Sequence, residues 1–341
     1  MSKTTLTNNT NLGITLSLYL ANDEYDYSPS DIPDDGLPVI SASRLLMPAK
    51  ALVLAHRLPP KDNIVDVADQ VKARMGQSIH TGIESAFTGP NRDRILLELG
   101  YPKKLVENIQ INPSQEEVDA NPNIVPIYLE QRAYRVIELS DKTKIRVSGK
   151  FDQITDGKVE DNKTTSTYKY NKLDQTEIGE YSKQLSIYRW LNPKLITSNV
   201  GQINFIFTDW KAGELARSSN YPPKPALEVP INLMSLSDTE RYIRNRIEEM
   251  LKANQALSQK EMPRCTDTEL WKSPDTYKYY AKEENALKNG RSTKNFDTFA
   301  AAQHHKAKAG KGVVIVAQGK PKRCGYCDAA PICLQRKEYE F

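Results

Sequence analysis

The order of secondary-structure signals predicts an α/β (α+β) fold with a mixed central sheet flanked by helices. Two observations lead there. Long segments with apolar residues at helical spacing lie before and after a block of β-branched and aromatic runs. A further apolar run, Ile203-Asn204-Phe205-Ile206-Phe207, follows the second of those helical segments and reads as one more strand. The resulting order is helix, three strands, helix, strand.

Taken in sequence, residues 1–36 are rich in Thr, Asn, Asp and Pro and predict a loosely packed, acidic N-terminal arm. Residues 41–58 predict a helix on the spacing of Leu45, Leu46, Ala49, Leu52 and Leu54, with Pro48 near its first turns. Residues 64–87 predict a longer amphipathic helix on Val67, Ala68, Val71, Met75, Ile79 and Ile83. In it His80 and Glu84 stand four apart and share a face, so the histidine reads either as structural or exposed, or as an imidazole that the carboxylate could orient. Residues 124–137, 143–153 and 158–163 predict an antiparallel meander, its last two strands joined at Thr155-Asp156-Gly157. A helix over 176–191, a strand over 201–210 and a polar helix over 236–257 follow. The division expected is an arm over 1–36, a core over 37–258 and a basic C-terminal region over 259–341 packed on that core.

With 39% hydrophobic and 26% charged residues, the 341-residue chain reads as soluble and globular, and no apolar run reaches the length of a membrane span. The N-terminus lacks a secretory pattern, so a cytoplasmic location is expected, the host cytoplasm if a phage encodes the chain. Net charge is only +4, but its distribution is uneven. Residues 21–36 hold six acidic and no basic residues, whereas 278–323 hold eleven basic residues against three acidic, an excess of +8. Such a stretch suits a polyanion as well as an ordinary solvated surface. The four cysteines, Cys265, Cys324, Cys327 and Cys333, are too few and too unevenly placed for a disulfide framework. Three of them crowd into ten residues, as thiolate ligands do.

The chemistry concentrates around the predicted hairpin. Asp152 follows the alternating run Ile145, Val147, Gly149, Phe151, and the next strand ends in Asp161-Asn162-Lys163. Strand alternation puts Asp161 and Lys163 on one face and Glu160 on the other. Two carboxylates beside an amine suit a divalent cation and an oriented water. Alone, the tripeptide reads as a solvated charged turn. In sequence order, however, G-x-x-x-H ending at His80, G-K-F-D ending at Asp152, V-E-D-N-K ending at Lys163, and Gln184 through Tyr188 resemble the RecB-like branch of the PD-(D/E)xK nucleases. The resemblance covers roughly residues 40–340. Phe151 stands where the signature proline would be, a departure that members of this branch often show.

The resemblance implies a restriction-endonuclease-like core and a metal-dependent deoxyribonuclease, an exonuclease of DNA recombination, repair or phage DNA processing. It implies His80, Asp152, Asp161 and Lys163 as catalytic residues. Mg²⁺ or Mn²⁺ would sit on His80, Asp152, Asp161 and the carbonyl of Asn162. Gln184 and Tyr188 would support catalysis or touch DNA. Cys265, Cys324, Cys327 and Cys333 are similar to the cysteine staple of phage-type members, holding a four-iron four-sulfur cluster or zinc. DNA is the implied partner, with a single-strand annealing protein or a helicase as protein partners and no membrane. The competing class is an inactive nuclease-fold protein that binds or assembles on DNA, which would be free to lose Lys163. A zinc-ribbon transcription factor would want a second C-x2-C pair, which is absent.

Overall fold

A computed structural model describes residues 4–23, 32–59, 63–171, 173, 175–217, 220–288 and 290–339. The fold is mixed α/β, with sheets flanked by helices. The chain divides into two compact units, one of residues 1–46 and 59–248 and one of residues 47–58 and 249–341. None of the described helices is long and apolar enough to cross a membrane.

The first unit is built on a six-stranded sheet ordered Ala226–Asn232, Val200–Phe207, Lys158–Thr165, Gln153–Thr155, Val125–Leu129, Ile109–Ile111. Val200–Phe207 runs parallel to Lys158–Thr165, and Ile109–Ile111 runs parallel to Val125–Leu129; the other neighbours are antiparallel. A three-stranded sheet, Val39–Ser41, Lys144–Lys150, Arg132–Glu138, lies beside it in the chain path. The expected meander is therefore split between two sheets. Val125–Leu129 continues past Glu130 and Gln131 into Arg132–Glu138, while Lys144–Lys150 continues past Phe151 and Asp152 into Gln153–Thr155. Both crossings stay paired: Glu130 N–H donates to the Asp152 carbonyl at 2.8 Å, and Phe151 N–H to the Gln131 carbonyl at 3.2 Å. Register holds across the bend, with Leu129 opposite Gln153 and Arg132 opposite Lys150.

The predicted turn is observed. Asp156 and Gly157 both have positive φ, 49° and 66°, as a two-residue hairpin between right-twisted strands requires. The helix Gln175–Leu191 packs Leu185, Ile187 and Trp190, all essentially inaccessible, into a core with Val147, Phe151, Val159 and Ile203. Gly149 makes that approach possible. A Cβ there would lie 2.7 Å from Leu191 Cδ1 and 3.1 Å from the Tyr188 ring.

Three local expectations change. The expected helix over 41–58 is two, Ala42–Leu45 and Ala49–Arg57, because Pro48 starts the second rather than extending the first. In Val71–Thr88 the buried side chain is Arg74, while Val71 and Met75 remain exposed. Arg74 pairs with Asp23 at 2.9 Å. The described part of the arm is ordered rather than loose: Thr4–Thr7 pairs in parallel with Asn63–Asp66, Ile14–Ala21 is a helix, and Asp35 pairs with the buried Arg146. Backbone pairing, the buried Leu20 and ion pairs to two buried arginines anchor the arm. Glu24, Asp26 and Asp31 lie outside the described residues.

In the second unit Ala49, Val53 and Leu54 pack with Ala253, Met262 and Ala329, which explains why 47–58 belongs with the C-terminal part. A three-stranded antiparallel sheet, Lys294–Phe296, Thr276–Tyr280, Val313–Ala317, carries the helix Phe299–Ala309 on the face of Tyr277 and Tyr279.

Gly149→Ala should therefore destabilise the first unit by about 1–3 kcal/mol, the usual penalty of overpacking. Urea unfolding reads the shift, and an unchanged midpoint would contradict the close packing described.

Candidate active site

The site forms where the two paired chains cross between sheets. Asp152 sits in one crossing and Glu130 in the other, so the hydrogen bond joining their backbones also brings their carboxylates together. Glu130 holds φ at +51°, a conformation that bulky residues avoid and that recurs at functional sites. His80, on Val71–Thr88, lies with Nδ1 3.5 Å from both Glu130 Oε1 and Asp152 Oδ2. Glu84 is exposed, so the carboxylate beside the imidazole comes from Glu130 and not from the helix itself.

Asp161 and Lys163 lie on one face of Lys158–Thr165, as alternation requires, with Lys163 Nζ 2.6 Å from Asp161 Oδ2. That oxygen is buried, and beyond the ion pair no hydrogen bond of good geometry reaches it. Gln184 Nε2 donates to Asp161 Oδ1 at 3.3 Å and to Tyr188 Oη at 3.0 Å. Gln184 thus braces Asp161, rather than Lys163, and Tyr188 braces Gln184. Asn162 contributes its backbone N–H, which donates to Asp152 Oδ2 at 2.7 Å. Its side chain turns to the opposite face, where Asn204 Nδ2 donates to both Asn162 Oδ1 and Glu160 Oε2. Glu160 also accepts from Gln153 Nε2 at 2.7 Å, so it is tied up away from Asp161.

Burial, and then the negative charge of Asp161, push the Asp152 carboxyl up from 3.8 to about 7, against the pull of His80, the Asn162 N–H and Lys163. Burial pulls the Lys163 ammonium down, but Asp161 outweighs it and the net shift is upward. Lys163 is therefore a cationic donor at neutral pH and not a base. Burial works to raise Glu130, but His80 and Lys150 hold it below the ordinary carboxylate value; Lys150 Nζ is 2.7 Å from Glu130 Oε2. The hydrogen bond to Glu130 raises His80, with burial opposing it.

Among the described residues, His80, Glu130 and Asp152 make the one group of three or more His, Cys, Asp or Glu side chains whose ligand atoms lie within 4.8 Å of each other. This group could hold a metal ion. Asp161 lies next to it and is engaged by Lys163. Glu130 was not among the sequence candidates: it falls inside the run read as a single strand over 124–137, and only the bend sets it apart.

The four thiols do not meet that ligand spacing. Their segments are placed by other forces. Gln335 donates to the Cys265 carbonyl at 2.8 Å and accepts from the Cys265 N–H at 3.0 Å. Gln259 makes the matching pair with Ile332 and Leu334, bracketing Cys333. Burial, then Glu269 and Cys333, push the Cys265 thiol up to about 12, and burial also raises Cys324 and Cys327.

No protein-family model matches the chain, and no curated protein matches it. Among solved structures, the crystal structure of SSO0001 aligns with a TM-score of 0.34 at 17% identity, over 72% of this chain and 86% of that one. A phage-related exonuclease from Haemophilus somnus 129PT aligns with a TM-score of 0.23 at 12% identity, over 49% of this chain and 82% of that one.

The raised Asp152 gives a pH prediction with a definite sign. Unfolded aspartate ionises near 3.9, whereas folded Asp152 keeps its proton up to about 7. Across that window the folded state binds more protons, so cation-free stability falls as pH rises. A divalent cation held by this group would replace the proton. The rise in melting temperature on adding Mg²⁺ or Mn²⁺ should therefore be larger at about pH 8 than at about pH 5.5. Equal rises at the two pH values would contradict this.

Proposed function

We propose that the first unit is a metal-dependent deoxyribonuclease that hydrolyses phosphodiester bonds, acting as an exonuclease in DNA recombination, repair or phage DNA processing. The observation that carries the reading is the Asp161–Lys163 pair set beside the His80–Glu130–Asp152 group. Nitrogen and hard oxygen donors of this kind fit Mg²⁺ or Mn²⁺, with the imidazole favouring tolerance of Mn²⁺. Asp161 and the Asn162 carbonyl are the further donors that the resemblance supplies. Such an ion, when bound, neutralises charge at the phosphate and acidifies a water.

The remaining roles belong to the chain. Protonated Lys163 donates to a phosphate oxygen or to the attacking water, and so stabilises charge that develops in the transition state. Asp161 keeps Lys163 charged and fixes its position. Gln184 holds Asp161 in its rotamer, with Tyr188 behind it. Lys150 keeps Glu130 ionised beside Asp152. The basic stretch over 278–323 supplies charge for DNA. A four-iron four-sulfur cluster or zinc suits four thiols chemically, although no three of these thiols lie within the 4.8 Å that donors around a single ion keep. No step of the reaction uses that group.

Labelled linear DNA incubated with Mg²⁺ or Mn²⁺ tests the reading. Wild type should cut, and Asp161→Asn and Lys163→Met should each cut at least about 100-fold more slowly. If wild type cuts no faster than these variants while still binding DNA, the chain belongs to the inactive, DNA-binding class.

A further inference from the structure

Val313–Ala317, which reads V-V-I-V-A, is an outer strand of the three-stranded sheet in the second unit. Among the described residues its backbone pairs only with Thr276–Tyr280, so the other side of the strand is open. Both ends of the strand are pinned. A Cβ on Gly312, whose φ is +86°, would collide with the Tyr280 carbonyl oxygen, and one on Gly319 with that of Ser273. Gly319 N–H also donates to Asp275 Oδ1 at 2.8 Å. The open edge is therefore held extended before anything meets it.

An open edge is a template for another strand, and proteins blunt it with charges, prolines or short length. The other described edges follow that rule. Ala226–Asn232 carries Glu228 and Pro230, Arg132–Glu138 carries two arginines and a glutamate, and Lys294–Phe296 is three residues with a lysine. Ile109–Ile111 and Val39–Ser41 are three residues long, and Thr4–Thr7 and Asn63–Asp66 four. Among these edges only Val313–Ala317 is longer than four residues and free of both charge and proline. Ile315 and Val316, on opposite faces, are 45% and 47% exposed. Leu287, on the short helix Glu283–Leu287 that packs beside the strand, is exposed as well.

The charges around the edge are mixed. At the end where Val313 pairs with Tyr280, Glu283 and Glu284 stand with Lys282 and Lys311. Lys278 lies level with Ile315 on the neighbouring strand. Past Ala317 come Lys320, Lys322 and the Lys272–Asp275 pair at 3.8 Å. A partner strand rich in one sign of charge would meet its like at one end or the other. A copy of the same strand turned end for end avoids this, because it brings Glu283 and Glu284 toward Lys320. It also matches side chain to side chain. Antiparallel pairing about Ile315 sets Val313 opposite Ala317, Val314 opposite Val316 and Ile315 opposite itself.

We propose that Val313–Ala317 is the contact between two copies of this chain, joined antiparallel about a twofold axis through Ile315. The two three-stranded sheets would become one continuous sheet, with both Phe299–Ala309 helices on the same face. A ladder of five residues is a small interface, so the dimer exchanges with monomer. The inference stands apart from the cleavage reading, which concerns the first unit.

Sedimentation of the full chain, without DNA or divalent cation, tests it over roughly 10–500 μM, the range suited to a small interface. Wild type should shift from monomer to dimer as concentration rises. Ile315→Lys and Ile315→Glu should each weaken dimerisation by about tenfold or more, since like charges would meet at the axis. An equimolar mixture of the two variants should regain the dimer, because opposite charges then face each other. Circular dichroism matching wild type shows that the variants fold; should Ile315→Lys not, Val316→Lys replaces it. A wild type that stays monomeric throughout overturns the proposal whatever the variants do, as it would if the edge serves a strand of another protein. Folded variants that dimerise like wild type, or a mixture that stays monomeric, overturn it too.

Discussion

The backbone hydrogen bond from Glu130 N–H to the Asp152 carbonyl holds the site together. Two adjacent chains leave one sheet and enter another at the same place, and a bend that kept only one of them in register would separate their side chains. Here both bend together, and Glu130 takes up a left-handed backbone to do so. The carboxylates of Glu130 and Asp152 then face a single imidazole. Gly149, three residues before Asp152, lets the helix bearing Gln184 and Tyr188 lie close against the strand. One local geometry thus fixes the acids, and the packing next to it fixes their support.

The electrostatics follow from crowding. Glu130 and Asp161 are paired with Lys150 and Lys163, which leaves Asp152 in excess, beside the charge of Asp161 and with the His80 imidazole to offset it. Water cannot relieve that excess for a carboxylate as sheltered as Asp152, which instead keeps a proton to about pH 7. A divalent cation held by the group would also relieve it. The opposite face of the same strand shows the contrast: Glu160 is more buried than Asp152, but Gln153 and Asn204 donate to it.

Much of this was legible in the sequence where period and turn chemistry act locally. Alternation alone separated Asp161 and Lys163 from Glu160, and Asp156-Gly157 announced the hairpin. What period cannot show is where a continuous β run changes sheets, so Glu130 was hidden in a segment that reads as one strand. The arm misled for a related reason. Its acidity reads as solvated chain, yet Asp23 and Asp35 find Arg74 and Arg146, partners 51 and 111 residues away in sequence. Cysteine spacing showed which thiols share a region but not how closely they approach, because Gln259 and Gln335 set the positions of the chain around Cys333.

The paired crossing brings His80, Glu130 and Asp152 into a group that could hold a divalent cation. Titration of Mn²⁺ followed by electron paramagnetic resonance reads it without substrate. Binding to wild type should weaken by about tenfold or more in both Glu130→Gln and Asp152→Asn, with Glu84→Gln unaffected. Wild-type affinity in Glu130→Gln would contradict it.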